Sequence, residues 1–150
     1  MKTCYALDKL DKSIFLAGPT PRSPSVASWR PEALRILTEL SFEGTVLVPE
    51  QASWQPHDHY DDQIRWEWEA LNKATVIAFW VPRELESMPA FTTNVEFGLL
   101  ASSSRVLLGY PLDAPKMRYL SELAKRYNVG VSHSLRELLA AAVDKAKRPF

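Results

Sequence analysis

Residues 74–81 form an apolar run rich in β-branched and aromatic side chains, and this run is the strongest constraint on the fold of the chain. A run without alternation of polar and apolar positions is typical of a strand that is covered on both faces. Such strands belong to parallel sheets, because crossover connections place helices on either side of the sheet. The run therefore predicts an α/β fold built around a mainly parallel sheet.

The rest of the chain alternates strand candidates with helical segments, separated by breakers such as Pro and Gly. The strand candidates are residues 13–17, 45–48, 74–81, 105–109 and 129–131. The helical segments are residues 29–42, 61–73, 117–127 and 134–147, with a further helix that contains Glu96. This alternation predicts a flavodoxin-like, doubly wound fold with about five mainly parallel strands and helices on both faces. We expect the strand order 2-1-3-4-5 and a single domain over residues 1–150.

Charge and composition narrow the classes of partner. Lys plus Arg equals Asp plus Glu at 18 each, so no net charge draws the protein to a nucleic acid polymer or a membrane surface. The longest apolar run is far shorter than a membrane-spanning helix, and the N-terminus lacks the apolar core of a signal peptide. The single cysteine, Cys4, cannot form an internal disulfide. We therefore expect a cytoplasmic protein.

The predicted strand order also places a ligand site. In doubly wound sheets, ligands bind in the crevice at the carboxyl ends of the strands, at the point where the strand order reverses. Here that point lies between the first and third strands, and the loops at residues 18–28 and 82–92 flank it. We expect the proline-rich first loop and the helix that carries Glu96 to share one cleft.

Glu96 has two interpretations. Thr93 and Glu96 have the spacing of a capping box, in which a first-turn Glu hydrogen-bonds an amide at its own helix start. The alternative is that the carboxylate faces the cleft. The spacing by itself favours the cap, whereas the predicted position beside the cleft favours contact with a ligand. Ser134 and Glu137 have the same spacing at the start of the last helix.

The helix at residues 61–73 offers a second carboxylate. At about 100° per residue, Glu67 lies on the flank of the apolar stripe of this helix, while Glu69 points into solvent. The alternative for Glu67 is a surface residue paired with a neighbouring base, Arg65 or Lys73. Two carboxylates that face one cleft suit chemistry at a glycosidic carbon, where an oxocarbenium-like charge develops.

Other polar and aromatic residues give weaker signals. Arg30, near the start of the first helix, could bind a carboxylate or phosphate through two nitrogens, or it could be a solvated surface residue. Residues 57–62 contain His and Asp side chains, but their spacing matches no defined metal site, so we expect no metal. The tryptophans could stack on a planar base or serve packing; they include Trp54, Trp66 and Trp80.

Four segments together resemble the nucleoside 2-deoxyribosyltransferase family. They are residues 14–20, residues 63–67, the apolar run at residues 74–81, and the group Asn94, Glu96 and Gly98. Each motif is modest alone, but their order and spacing match over residues 13–110. The resemblance implies a flavodoxin-like fold, in agreement with the alternation of strands and helices.

The resemblance also implies roles for particular residues. Glu96 would be the nucleophile that attacks the anomeric carbon of a deoxynucleoside, and the sugar would then pass to another base. Glu67 would help to protonate or hold the base, and Asn94 would lie next to the sugar. The other substrate-binding residues implied are Phe15, Gly18, Pro19, Thr20, Arg30 and Gln63. No cofactor is implied, and a homo-oligomer is expected, with the tryptophan-rich helix as a plausible interface.

The sequence departs from the family pattern at Phe15 and Thr75, and residues 89–92 contain no clear counterpart of the carboxylate that members commonly have a few residues before the nucleophile. Phe15 stands where many members have a tyrosine, and Thr75 stands where members often have an aspartate. Two further hypotheses therefore stay open besides transfer to a second base. The first is an N-glycosidase that uses water as acceptor, including a branch that holds nucleoside 5′-monophosphates near Ser23, Ser25 and Arg30. The second is a non-catalytic domain that binds nucleotides.

Overall fold

The centre of the molecule is a five-stranded sheet in which every strand pair is parallel. The structure is a computed structural model that describes residues 12–50 and 60–148. The strands are β1 (Ser13–Ala17), β2 (Thr45–Leu47), β3 (Val76–Trp80), β4 (Val106–Gly109) and β5 (Gly130–Ser132). Their order is β2-β1-β3-β4-β5, so the predicted strand number, pairing and order are confirmed.

Five helices connect and follow the strands. They are α1 (Arg30–Glu39), α2 (Tyr60–Lys73), α3 (Phe91–Leu100), α4 (Arg118–Arg126) and α5 (Leu135–Lys147), and a short 3₁₀ turn (Ala101–Ser103) extends α3. Helix α1 is shorter than predicted, because Ser41 takes a positive φ of 52° just after it and turns the chain away. At the start of α5 the hydroxyl of Ser134 accepts the amide N–H of Glu137, as its spacing predicts.

Two layers of helices cover the sheet. Helices α1 and α5 pack on one face, and α2, α3 and α4 pack on the other. Strands β1 and β3 are buried along their whole lengths, and successive side chains alternate between the two faces. In β1, Ile14 and Leu16 point toward α1 and α5, whereas Phe15 and Ala17 point toward α2 and α3. The flavodoxin-like fold class is therefore confirmed.

Some sequence predictions concern parts of the chain outside this description. Residues 51–59 contain Trp54 and most of the segment considered for a metal, and nothing tests those predictions. Within the described residues, no group of three or more His, Cys, Asp and Glu side chains is placed to hold a metal ion. None of the helices in this part of the chain is both long enough and apolar enough to cross a membrane.

Ser13 and Thr75 form a closed hydrogen-bonded pair at the amino ends of β1 and β3. The amide N–H of each residue donates to the hydroxyl of the other, at 3.1 Å and 2.9 Å, and the two hydroxyl oxygens lie 3.3 Å apart. Ser13 has no exposed surface. Because ligands bind at the opposite, carboxyl ends of parallel strands, Thr75 belongs to the framework of the sheet rather than to a binding site.

We predict that Thr75→Val lowers the free energy of unfolding by about 1–3 kcal/mol, because the buried amide of Ser13 loses its acceptor. Urea unfolding measures the change. Thr38→Val is the matched control, since its hydroxyl bonds only within α1 at an exposed position, and its effect should stay within about 0.5 kcal/mol. Equal effects of the two substitutions would contradict the prediction.

Candidate active site

A cleft of about 710 Å³ opens between α2 and α3 at the carboxyl ends of β1 and β3. The loop after β1 forms one wall through Gly18, Pro19, Thr20 and Arg22. The chain leaves β1 toward the face of α1 and leaves β3 toward the opposite face, so the loops diverge above this pair of strands. The cleft therefore lies where the strand order predicts a ligand site.

Glu96 lines this cleft from the second turn of α3. The helix begins at Phe91, and its N-cap is Ala90, which has a left-handed backbone (φ 64°) and provides no side-chain cap. Thr93 is thus the third residue of the helix, and the predicted capping box at Thr93 and Glu96 is wrong. The reason is that the buried, left-handed Ala90 turns the chain into the helix earlier than the Thr–Glu spacing indicates.

The carboxylate of Glu96 is half-buried, and within the described residues it accepts no hydrogen bond. Its pKa is raised from the ordinary value of 4.5 to about 7. Loss of solvent is the largest cause, the negative charge of Glu67 acts in the same direction, and the positive charge of Arg30 opposes both. Near neutral pH, the group is therefore divided between its acid and its ionised form.

Gln63 and Glu67 lie one turn apart on α2, and both line the cleft. Nε2 of Gln63 donates to Oε1 of Glu67 over 3.1 Å, which orients the carboxylate. Lys73 pairs with Glu69 at 2.9 Å instead, and Arg65 faces Asp62 at 3.8 Å. The inward position predicted for Glu67 is thus the one observed, and the proposed partners Arg65 and Lys73 serve other carboxylates.

Arg30 is buried beneath the first loop, with a side-chain exposure of 2%. Four of its five N–H groups donate within the chain. The acceptors are the carbonyls of Leu16 and Gly18, the hydroxyl of Thr20 and the carboxylate of Glu50. The interpretation as a solvated surface arginine is therefore wrong, because this guanidinium holds the cleft wall in shape.

Glu50 supports the wall of this site through Arg30, a contact that the sequence did not indicate. Its Oε2 accepts from Nη1 of Arg30 at 2.6 Å and from the hydroxyl of Ser28 at 2.7 Å. No spacing rule connects a carboxylate after β2 with an arginine at the start of α1. Only the pairing of β1 with β2, which brings the ends of the two strands together, places them side by side.

Gly18 occupies a position that only glycine can fill. Its φ is +146°, and a Cβ atom built there would lie 2.1 Å from the carbonyl oxygen of Trp80. The next residue, Pro19, accepts a hydrogen bond from the indole N–H of Trp29 at 3.1 Å. These contacts hold the loop after β1 against the end of β3, so that Gly18, Pro19 and Thr20 line the cleft as predicted.

Aromatic residues form the apolar part of the site. Phe15 lines the cleft, and its ring centroid lies 6.3 Å from that of Trp66. Trp80 is buried in the core, so its role is packing. Trp68 and Phe91 also line the cleft, with 65% and 69% of their surfaces exposed. A planar ring could therefore lie against this side of the cleft.

Asn94 does not line the cleft, although the sequence predicts that it binds the substrate. It precedes Glu96 by two residues, which is a rotation of roughly 200° around the helix axis. Its Oδ1 accepts a hydrogen bond from Nη2 of Arg83, a residue that the sequence did not single out. Within this chain, Asn94 therefore belongs to the side of α3 that faces away from Glu96.

The first loop contributes one exposed cation to the cleft. The guanidinium of Arg22 lies over the ring of Phe91, 5.7 Å from its centroid, and the Arg22 amide donates to the carbonyl of Ser87 at 3.3 Å. Ser23 and Ser25 are not among the residues that line the cleft, and their hydroxyls bond to each other at 2.8 Å. Arg22 therefore connects the two loops that flank the switch point.

A family described as "Nucleoside 2-deoxyribosyltransferase like" matches residues 11–114. The matched region covers more than half of the chain and contains all of the cleft-lining residues in the part of the chain that the structure describes. No curated protein matches the chain.

We predict that Glu96→Gln stabilises the protein as the pH rises. Folding keeps the wild-type carboxyl protonated up to about pH 7, whereas the unfolded chain loses that proton near 4.5. The wild type therefore loses stability between these two values, and the neutral variant does not. Urea unfolding at a series of pH values should show no difference in the most acid buffer and a gain of about 1–3 kcal/mol above the folded-state pKa.

Glu69→Gln is the control for this series, because Glu69 is an exposed carboxylate paired with Lys73. Its free energy of unfolding should not exceed that of the wild type at any pH. A stability difference at Glu96 that stays constant with pH would contradict the raised pKa.

Proposed function

The chain belongs to the nucleoside 2-deoxyribosyltransferase-like family, and we propose that it cleaves the N-glycosidic bond of a nucleoside or deoxynucleoside and transfers the sugar to another base. The observation that carries this proposal is the Glu96 carboxylate, which lines the cleft without a hydrogen-bond partner among the described residues. A carboxylate that is not engaged by the protein is available to a ligand. Its low solvation also increases its nucleophilicity when it is ionised.

In the proposed first step, an oxygen of Glu96 bonds to the anomeric carbon while the bond from that carbon to the base nitrogen breaks. The electron pair of the broken bond leaves on the base, which takes up a proton. In the second step, a nitrogen of another base attacks the same carbon, expels the carboxylate and loses a proton. Each step passes through an oxocarbenium-like transition state, whose positive charge a neighbouring carboxylate stabilises.

We assign Glu67 to the leaving base. It lines the same cleft from the opposite helix, and its charge contributes to the raised pKa of Glu96. Two interacting carboxylates share protons, so one can hold a proton while the other is ionised. Gln63 restricts the orientation of Glu67 and thereby aims it at the base.

The first loop would bind the sugar of the substrate, and the exposed aromatic side chains would bind its base. The loop at Gly18 to Thr20 is rigid because Arg30 and the indole of Trp29 bond to it, which suits it to hold the sugar. Trp68 and Phe91 present exposed apolar surface suited to a planar base, and the buried ring of Phe15 forms part of the cleft lining. The chemistry that we propose needs no cofactor.

We further propose that two or more copies of the chain assemble along the open side of the cleft. Residues Phe91, Val95 and Leu99 lie four apart on α3 and form one apolar stripe, with exposures of 69%, 62% and 76%. Trp68 on α2 is 65% exposed, and all four side chains border the cleft. Such a patch is typical of a protein interface, and a partner there would cover the base.

The test is to incubate the protein with deoxynucleosides or their 5′-monophosphates, with and without a second free base, and to separate the products by chromatography. We expect a new nucleoside only when the second base is present. Glu96→Gln should lower the rate by about 10³-fold or more, because the nucleophile is lost. Glu69→Gln, at an exposed position of α2, should keep the wild-type rate.

The possible outcomes separate the hypotheses. Release of free base without an acceptor would indicate an N-glycosidase that uses water in the second step. Binding of nucleosides without any product would indicate a non-catalytic nucleotide-binding domain. Full activity of Glu96→Gln would remove this residue from the mechanism.

The pH dependence of the rate distinguishes two roles for Glu96. A nucleophile must be ionised, so kcat/KM should rise with pH and level off above the pKa of the free carboxyl, which is about 7. If Glu96 instead supplied the proton to the leaving base, kcat/KM would fall over the same range. Measuring the profile in Glu67→Gln tests the coupling of the two groups, because loss of the Glu67 charge should move the midpoint to lower pH.

A further inference from the structure

Arg83 is a buried arginine for which the proposed chemistry has no use. It lies in the loop after β3, and only 4% of its surface is exposed. Within residues 12–50 and 60–148, no carboxylate oxygen lies within 4.0 Å of it. Desolvation lowers its pKa from the ordinary value, which is the direction expected for a buried cation without an anion. Buried charges of this kind cost stability, so their placement calls for another explanation.

The hydrogen bonds of Arg83 connect three segments of the chain. Nη1 donates to the backbone carbonyl of Lys116 at 2.7 Å, and Nη2 donates to Oδ1 of Asn94 in α3. Lys116 has a left-handed backbone with φ 58° and lies in the turn just before α4. The guanidinium therefore joins the loop after β3, the first turns of α3 and the entry to α4.

The contact with Asn94 lies on the side of α3 away from the cleft. Asn94 and Glu96 differ by roughly 200° around the helix axis, so a side chain bonded to one faces away from the other. Phe97, the next residue after Glu96, is buried against Phe79 of the sheet with ring centroids 5.3 Å apart. Arg83 and Phe97 thus hold α3 at two different points of its circumference.

We propose that Arg83 is a positioning residue that sets the rotation of α3 and thereby directs the Glu96 carboxylate into the cleft. The inference rests on the proposed function, since it concerns the same nucleophile. A carboxylate lies on the order of 6 Å from the helix axis, so a rotation of about 10° moves it by about 1 Å. A displacement of that size at a reacting group can lower the rate by about 10²-fold.

The location of the Arg83 guanidinium indicates that this residue positions α3 and does not serve to stabilise the fold. Asn94 is near the amino end of α3, where the helix dipole makes a nearby cation unfavourable. Nε of Arg83 is buried and has no hydrogen-bond partner, which adds a further cost. An apolar side chain would avoid both costs, but it could not donate to Asn94 or to the Lys116 carbonyl. The planar fork of arginine can span the two acceptors.

The experiment compares Arg83→Met and Arg83→Lys with the wild type in the product assay, with kcat and KM determined separately. We expect Arg83→Met to lower kcat by about 10- to 100-fold while KM changes by less than about 3-fold, because the nucleophile is misplaced but the cleft remains. Arg83→Lys keeps the positive charge on a single donor nitrogen without the planar fork, and kcat should recover in part. The midpoint of the rise of kcat/KM with pH should not move, since Arg83 is not among the charges that shift Glu96.

Arg105→Met is the matched control. Arg105 is partly buried, and its Nη1 donates to the carbonyls of Leu71 and Ala74 at the carboxyl end of α2, so its guanidinium hydrogen bonds among the described residues do not involve α3. It should leave kcat near the wild-type value. Urea unfolding of each variant confirms that the assayed protein is folded.

A double-mutant cycle with Asn94→Ala identifies the route of the effect. If Arg83 acts through Asn94, the losses of kcat in the two single variants should not add in the double variant. Additive losses, or a wild-type kcat in Arg83→Met and Arg83→Lys, would overturn the inference. An inactive wild-type protein would instead count against the proposed function, so the two failures can be told apart.

Discussion

The pairing of β1 with β3 is the interaction on which the rest of the molecule depends. Both strands are buried along their whole lengths, and their register joins Ile14 with Val76 and Ala17 with Phe79. Since the chain leaves the two strands toward opposite faces, the outgoing loops separate and open a cleft. Gly18 lets the first loop rest on the end of β3. The cleft is thus a consequence of strand order, and a change in the order would remove it.

The charged groups around the cleft are satisfied to very different extents. The guanidinium of Arg30 is held by four acceptors that include Glu50, so it is rigid and its charge is largely compensated. Glu96 is half-buried without a donor among the described residues, and this raises its pKa. A cation that donated hydrogen bonds to the Glu96 carboxylate would stabilise the fold. It would also occupy the group that we propose as the nucleophile. A reactive site needs this difference, in which the supporting arginine has many hydrogen-bond partners and the reacting carboxylate has none in the described part of the chain.

Much of the fold and part of the site could be predicted because local patterns carry the information. Apolar runs and breakers located the five strands and five α-helices of the described residues, and the inward flank of Glu67 followed from helical periodicity. The start of α3 was misplaced because Ala90 adopts a left-handed conformation that its residue type does not favour. Asn94 was assigned to the substrate by resemblance, but the rotation of α3 turns it toward Arg83. The helix start was misplaced because long-range packing overrides local preference there.

The sequence by itself determined the class of fold, the strand order and the family, since these depend on periodicity, on the handedness of crossovers and on the order of short motifs. Only the tertiary structure decided that Glu96 lines the cleft rather than caps its helix, and that Arg30 supports the cleft wall through Glu50. It also decided that Arg83 bonds to Asn94, on the side of α3 that faces away from the cleft. The physical reason is that solvation, hydrogen-bond partners and side-chain direction depend on residues far apart in the chain, which no local pattern records.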